Sequence, residues 1–243
     1  MRRGPVDRIR STTAVLAFAS LLAPALGAQA APRDDRPVVA IMNFTNGAIG
    51  RTAEYAGLSQ GIAEILMTTL AANDKIRVVE RAKLQQLLDE QKLSASSRVD
   101  EETAVKLGRI LGAHHFIMGA FVIDTKDRMR VDVRSVNVET AEIEYTENVE
   151  GKAQKLLEVL DQLGEKIDKT LHLPPLPTRD PAAEKGRGKA DQGRAVLLLG
   201  RAIAAKDKGD ISGARAAATE ALAAYPDFAR AQAFLASLPA GSP

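Results

Sequence analysis

The chain has 243 residues, no cysteine, no tryptophan and a formal net charge of +2. That excludes disulfides, thiolate metal sites and cysteine nucleophiles, and the length suits one medium domain plus a small one. Residues 1–30 hold four Arg and one Asp, a net of +3, which leaves −1 for the remainder and removes the electrostatic case for nucleic acid.

The first thirty residues read as a leader. Arg2, Arg3, Arg8 and Arg10 precede an apolar run from Ala14 to Leu26, and Ala28-Gln29-Ala30 is a small-x-small cleavage pattern. This order predicts a secretory signal peptide cut after Ala30. The run is shorter than the ~20 apolar residues a spanning helix requires. The expected location is periplasmic, without a direct membrane span and without a cysteine to carry a lipid anchor.

Pro37 to Phe44 (PVVAIMNF) predicts a buried strand. A polar loop with two glycines follows, and then Leu58, Ile62, Ile65, Leu66 and Thr69 predict a helix over 55–72. Ile76 to Val79 is a second strand. Leu84, Leu87, Leu88 and Gln91 mark the next helix, and Ser94 to Arg98 a polar turn. Asp100 is placed to cap a third helix with Glu101 and Glu102 in its first turn, along a stripe of Ala104, Leu107, Gly108 and Leu111. Gly112 is placed to end it.

The period then changes to two. Phe116 to Ile123 is largely apolar, which predicts a central strand. Met129, Val131 and Val133 alternate with Arg130, Asp132 and Arg134, which predicts one dry and one wet sheet face. Ile143 to Val149 is a third strand. A helix over 152–171 carries Leu156, Leu160, Leu163, Ile167 and Leu171. Strands alternating with helices, followed by a meander, predict an α/β domain over 37–171: a mixed β-sheet flanked by helices.

Residues 172–189 contain four prolines and then GRGK, the composition of a linker. GRGK is no phosphate loop, because Ala190 follows the lysine and no strand precedes it. Residues 190–238 are Ala-rich and predict a small all-α segment like one tetratricopeptide repeat. Ala202, Ala214 and Ala221 fall where paired helices touch, Gly209 lies at the turn and Pro226 at the exit. One repeat with a cap is marginal alone, since about three are needed to bury a core. Either it stabilises the first domain, or its small-residue surface receives a partner.

Several stretches between Val38 and about Leu171 resemble the CsgG family, the periplasmic domain of the curli secretion component. The resemblance rests on the VVER junction, LQQLLDEQKL, DEETAVKLGRILGA, HHFIMGAF and VNVETAEI. It implies an α/β domain related to nucleotide-binding folds and used for assembly rather than catalysis. The pore-forming members carry an acylated cysteine and two long membrane hairpins. Here there is no cysteine, and Phe116 to Gly151 is consumed by three sheet strands and their turns.

Few residues are candidates for chemistry. Glu80 and Arg81 stand at the carboxyl end of a strand, where open α/β sheets bind ligands. The plainer reading has Glu80 complementing a helix start and Arg81 joining a nearby carboxylate, as a structural or interface pair. Asn46, Gly47, Gly50 and Arg51 lie in a loop leaving the first strand, a candidate for a ligand or partner. His114 and His115 point to opposite faces of a strand and cannot readily share a metal. No cofactor and no catalytic residue is expected. Three readings follow: an accessory or scaffold protein of an envelope assembly or secretion system, a ring-forming subunit of a CsgG-type outer-membrane complex, or a periplasmic small-ligand binder. The expected partners are envelope proteins, with homo-oligomers possible.

Overall fold

The computed structural model describes residues 34–93, 99–171 and 191–239. The leader, the turn at 94–98 and the linker with its GRGK lie outside the described residues. The elements below belong to one compact unit that begins at Arg36.

The α/β part contains strands β1 (Val38–Ile41), β2 (Thr45–Asn46), β3 (Arg77–Val78), β4 (His115–Ile123), β5 (Arg128–Asn137) and β6 (Ile143–Lys152). Its helices are α1 (Leu58–Ala71), α2 (Arg81–Glu90), α3 (Glu101–Leu111) and α4 (Leu156–Thr170), and a 3-10 turn, Ala153–Lys155, leads into α4. The strands lie in the order β3-β1-β4-β5-β6, with β2 joining β4 above the end of β1. β1 is parallel to β3 and β4, whereas β5 and β6 run antiparallel to their neighbours. The sheet is therefore mixed and flanked by helices, and β4 is central, as its apolar run predicts.

Alternation along the strands feeds two cores. Val39, Ile41, Ile117, Phe121, Val131, Val133 and Tyr145 pack with α1 and α4 on one face. Val38, Ala40, Met42, Phe116, Met118, Val136 and Val138 pack with α2 and α3 on the other. Asp100 accepts from Thr103 N and caps α3, which ends at Gly112 with φ +65°. That left-handed conformation suits glycine.

Two boundaries differ from the expected ones. α1 begins at Leu58 rather than at residue 55, because residues 52–57 form turns and Tyr55 donates its hydroxyl to Asp127. β6 continues to Lys152, opposite Arg128, so α4 starts at Leu156, the first residue of its apolar stripe, and not at residue 152.

The C-terminal segment forms α5 (Gln192–Asp207), α6 (Ile211–Ala224) and α7 (Ala229–Ser237). Ala195, Val196, Leu198, Leu199 and Ile203 of α5 enter the same core as α1 and α4. The crossing of α5 on α1 is close. A Cβ on Gly200 would stand 1.8 Å from Gly57 O, and one on Gly61 would stand 2.4 Å from Val196 O. Glycines at this crossing let two backbones touch. The segment is thus a layer of the fold, laid over α1 and α4.

Candidate functional site

Glu80 and Arg81 sit where β3 becomes α2. Val79 N donates to Val39 O at 2.9 Å, which holds this end of the strand to β1. Glu80 is extended, with φ −61° and ψ 134°. It stands at the N-cap of α2 without a side-chain capping bond, and its carbonyl accepts from Lys83 N and Leu84 N. Arg81 turns to the C-terminal layer: its guanidinium donates twice to Asp207 of α5, at 2.5 and 2.8 Å.

A second carboxylate lies behind this pair. Glu64 is the sole charged residue of α1, and its side chain is 9% exposed. Arg230 of α7 donates to Glu64 Oε1, and Arg81 Nε lies 4.0 Å from Glu64 Oε2. Asp207, Arg81, Glu64 and Arg230 form a chain of alternating charge that ties α5, α2, α1 and α7 together. A carboxylate this buried is tolerated because two guanidinium groups face it.

These charges line a groove of about 710 Å³, walled by α1, the β3–α2 junction, α5 and α7. Met67, Val78, Val79, Ile203 and Phe234 give it an apolar lining. Its volume lies within the roughly 300–1,000 Å³ of ligand clefts. Lys206 Nζ stands 5.4 Å from the centre of the Phe234 ring and bonds to no carboxylate among the described residues. Arg230 Nε is buried without an acceptor among them. The arrangement offers an apolar trough with a charged rim. Glu64, Lys206, Asp207 and Arg230 went unnoticed in the sequence. Glu64 alone had a signal there, as a single charge inside an otherwise uncharged amphipathic helix.

The other candidates lie elsewhere. Asn46 Oδ1 accepts from Ala48 N, and its amide donates to Thr52 O. Gly47 N and Ile49 N donate to Phe121 O and Ile123 O of β4, so those amides are used in the sheet. Gly50 turns the loop at φ +70°. Arg51 donates to both oxygens of Glu54 and to Asp127, and lies 4.9 Å from the Tyr55 ring centre. The Glu54 bond raises the guanidinium pKa above its already high ordinary value, and the same bond holds the Glu54 carboxyl below the usual range. The loop is thus braced by its own side chains.

The two histidines meet different partners, His114 just before β4 and His115 as its first residue. His114 Nδ1 accepts from Val38 N. His115 Nδ1 lies 2.6 Å from Glu144 Oε1, which also accepts from Ser135 Oγ at 2.8 Å. Asn137 donates to the other Glu144 oxygen. The serine donates to the carboxylate and is fully buried. This cluster braces the β6 bulge, where Tyr145 faces Ser135 but Ile143 faces Val136. Among the described residues no three His, Asp or Glu side chains group to hold a metal.

Ala202, Ala214 and Ala221 are fully buried in the helical layer. Gly209 turns between α5 and α6 at φ +78°, and Asp210 accepts from Gly213 N to cap α6. Pro226 is exposed, and its carbonyl accepts from Gln232. Among the described residues no helix is long and apolar enough to cross a membrane.

No curated protein matches the chain. Solved structures similar to it include the LpoB C-terminal domain from Salmonella enterica, at 16% identity and a TM-score of 0.36, covering 48% of this chain and 82% of that one. E. coli LpoB is 18% identical with a TM-score of 0.39, covering 60% and 81%. A PelC dodecamer from Paraburkholderia phytofirmans is 16% identical with a TM-score of 0.35, covering 57% and 89%. The family model described as the curli production assembly/transport component CsgG matches residues 23–123. The match ends with β4, short of the meander and the C-terminal helices. The part of the chain that builds β1 to β4 with α1 to α3 is therefore similar to the CsgG family.

Proposed function

We propose that this protein is an exported, periplasmic accessory or scaffold protein of an envelope assembly or secretion system, working by protein–protein contact and not by catalysis. The family match over residues 23–123, to an assembly/transport component, carries the reading. The leader pattern of residues 1–30 supports export. The charged groove between the CsgG-like domain and the C-terminal layer supplies a surface for contact. The C-terminal helices, read as a tetratricopeptide-like pair with a cap, act as the wall of that surface.

The test is purification of the tagged protein from cross-linked envelopes, with native mass measurement of the isolated protein. Stable envelope partners are expected. A strictly monomeric protein that brings down none overturns the reading. A second reading, a ring-forming subunit of a CsgG-type outer-membrane complex, is favoured by the same family match; a large symmetric assembly in the mass measurement would establish it, and a monomer or dimer at high concentration would remove it.

A further inference from the structure

We propose that the groove between α1, the β3–α2 junction and α7 is the docking site for an apolar segment of a partner protein that carries an acidic side chain. The inference rests on the interaction-protein reading and names what the groove takes.

The shape comes first. Glu64, Met67, Thr68 and Ala71 of α1 line the groove with spacing of one helical face, and so do Arg230, Ala233, Phe234 and Ser237 of α7. Each stripe runs over eight residues, seven steps of 1.5 Å or about 10 Å. Two helix faces of that length with an apolar floor match the mode in which a peptide seats its apolar side chains in a groove. Ala71, Ala82 and Ala233 are exposed and small, so the trough has room without any side chain moving.

Charge selects the occupant. Of the three cations, Arg81 is held by Asp207 and Arg230 by Glu64. Lys206 faces only the Phe234 ring, and Arg230 Nε has no acceptor among the described residues. Lys206 is thus an exposed cation on the α5 wall with no carboxylate to meet among the described residues, whereas the Arg230 Nε is sealed inside the layer. Glu80 is exposed on the wall formed by the β3–α2 junction. It repels a carboxylate there, so an acidic side chain is directed to Lys206. A partner segment with a basic residue in that position meets Lys206 and is rejected.

The experiment uses the purified protein and three fluorescent peptides, Ac-LEALLEAL-amide and its counterparts with both Glu replaced by Gln or by Lys. The Glu peptide is expected to bind at least tenfold more tightly than the Lys peptide, with the Gln peptide between them. Ala233→Trp, which fills the trough at an exposed position, is expected to reduce binding at least tenfold with an unchanged melting temperature. Lys206→Glu is expected to invert the charge preference. Equal binding of the three peptides, no detectable binding of any at millimolar concentration, or full binding to Ala233→Trp overturns the proposal. Envelope purification separates the two readings: partners retained by Ala233→Trp defeat the groove and leave the interaction role standing, whereas no partner with the unaltered protein defeats the role itself.

Discussion

The backbone N–H of Leu157 donates to the side-chain oxygen of Gln192 at 3.0 Å, thirty-five residues along the chain. Leu157 lies in the first turn of α4, whose N-cap residue Lys155 offers no side-chain bond. The cap thus comes from the first residue of α5, and Gln192 is 1% exposed. Replacing Gln192 with Ala leaves a buried amide without its acceptor, which costs about 1–2 kcal/mol. Urea denaturation is expected to show that loss as a lower midpoint. Because α5 shares its core with the sheet, a single transition is expected; two separate transitions would show that the C-terminal layer folds independently.

Gly200→Ala is the sharper test of the same layer. In a free helix this change gains about 0.5–1 kcal/mol, since glycine is the poorer helix former. Here the new methyl meets the Gly57 carbonyl, a backbone atom that cannot rotate away. The sign therefore reverses, and a loss of about 1–3 kcal/mol is expected from overpacking. A rise in melting temperature would mean that α5 does not lie on α1.

The sheet was legible because its strands are short apolar runs bounded by turn residues, and the caps at Asp100 and Gly112 sit at fixed offsets from apolar stripes. That the C-terminal helices pack on the first domain was one of two readings open in the sequence; the face on which they dock was not legible. Gly57 and Gly61 meet α5 at Gly200 and Val196, and nothing local in the sequence links positions so far apart. The same holds for the groove. Arg81 was visible as a charge at a strand end, but its partner Asp207 is 126 residues away. Glu80 could be placed at a helix start from sequence, whereas the lack of a capping bond from its side chain is a matter of rotamer and not of residue type.

The Glu64–Arg230 pair predicts an asymmetry. Arg230 is 40% exposed on its side chain and Glu64 only 9%. Removing the carboxylate as Glu64→Gln leaves guanidinium groups that can turn to water, and a cost of about 1 kcal/mol is expected. Removing the guanidinium as Arg230→Ala leaves a buried carboxylate facing only Arg81, and about 2–3 kcal/mol is expected, below the full range for a buried pair because Arg230 is partly wet. A double-mutant cycle by chemical denaturation measures both. Equal costs would sink the idea that Glu64 is the desolvated partner.

Acid sensitivity should trace in part to the β4–β5 turn. Asp124 accepts from Arg128 N and Arg128 Nε, and also from Lys126 N. The bonds to Arg128 lead in holding its carboxyl below the ordinary range. A carboxyl depressed in the folded state contributes fully above its unfolded value of about 3.9, and the contribution fades as pH falls through the lower folded value. The stability gap between the unaltered protein and Asp124→Asn is therefore expected to be constant near neutrality and to shrink below about pH 4. Denaturation midpoints across that range check it; a gap that widens on acidification contradicts the assignment.

Tyr145 offers a change in the stabilising direction. Its ring is buried in the core under α4, at 6% exposure, and its hydroxyl meets no hydrogen-bond partner among the described residues. Burial, aided by the charge of Glu147, raises the phenol pKa above its ordinary value, so the group stays protonated and carries an O–H with no acceptor. An orphaned buried polar group costs about 1–3 kcal/mol. Phenylalanine keeps the ring and its packing and removes only that atom. Tyr145→Phe is therefore expected to raise stability by about 1 kcal/mol, read as a higher denaturation midpoint with an unchanged slope. A fall of similar size would mean that the hydroxyl is bonded in solution, through an ordered water between β6 and α4, and that the polar atom is retained for that bridge.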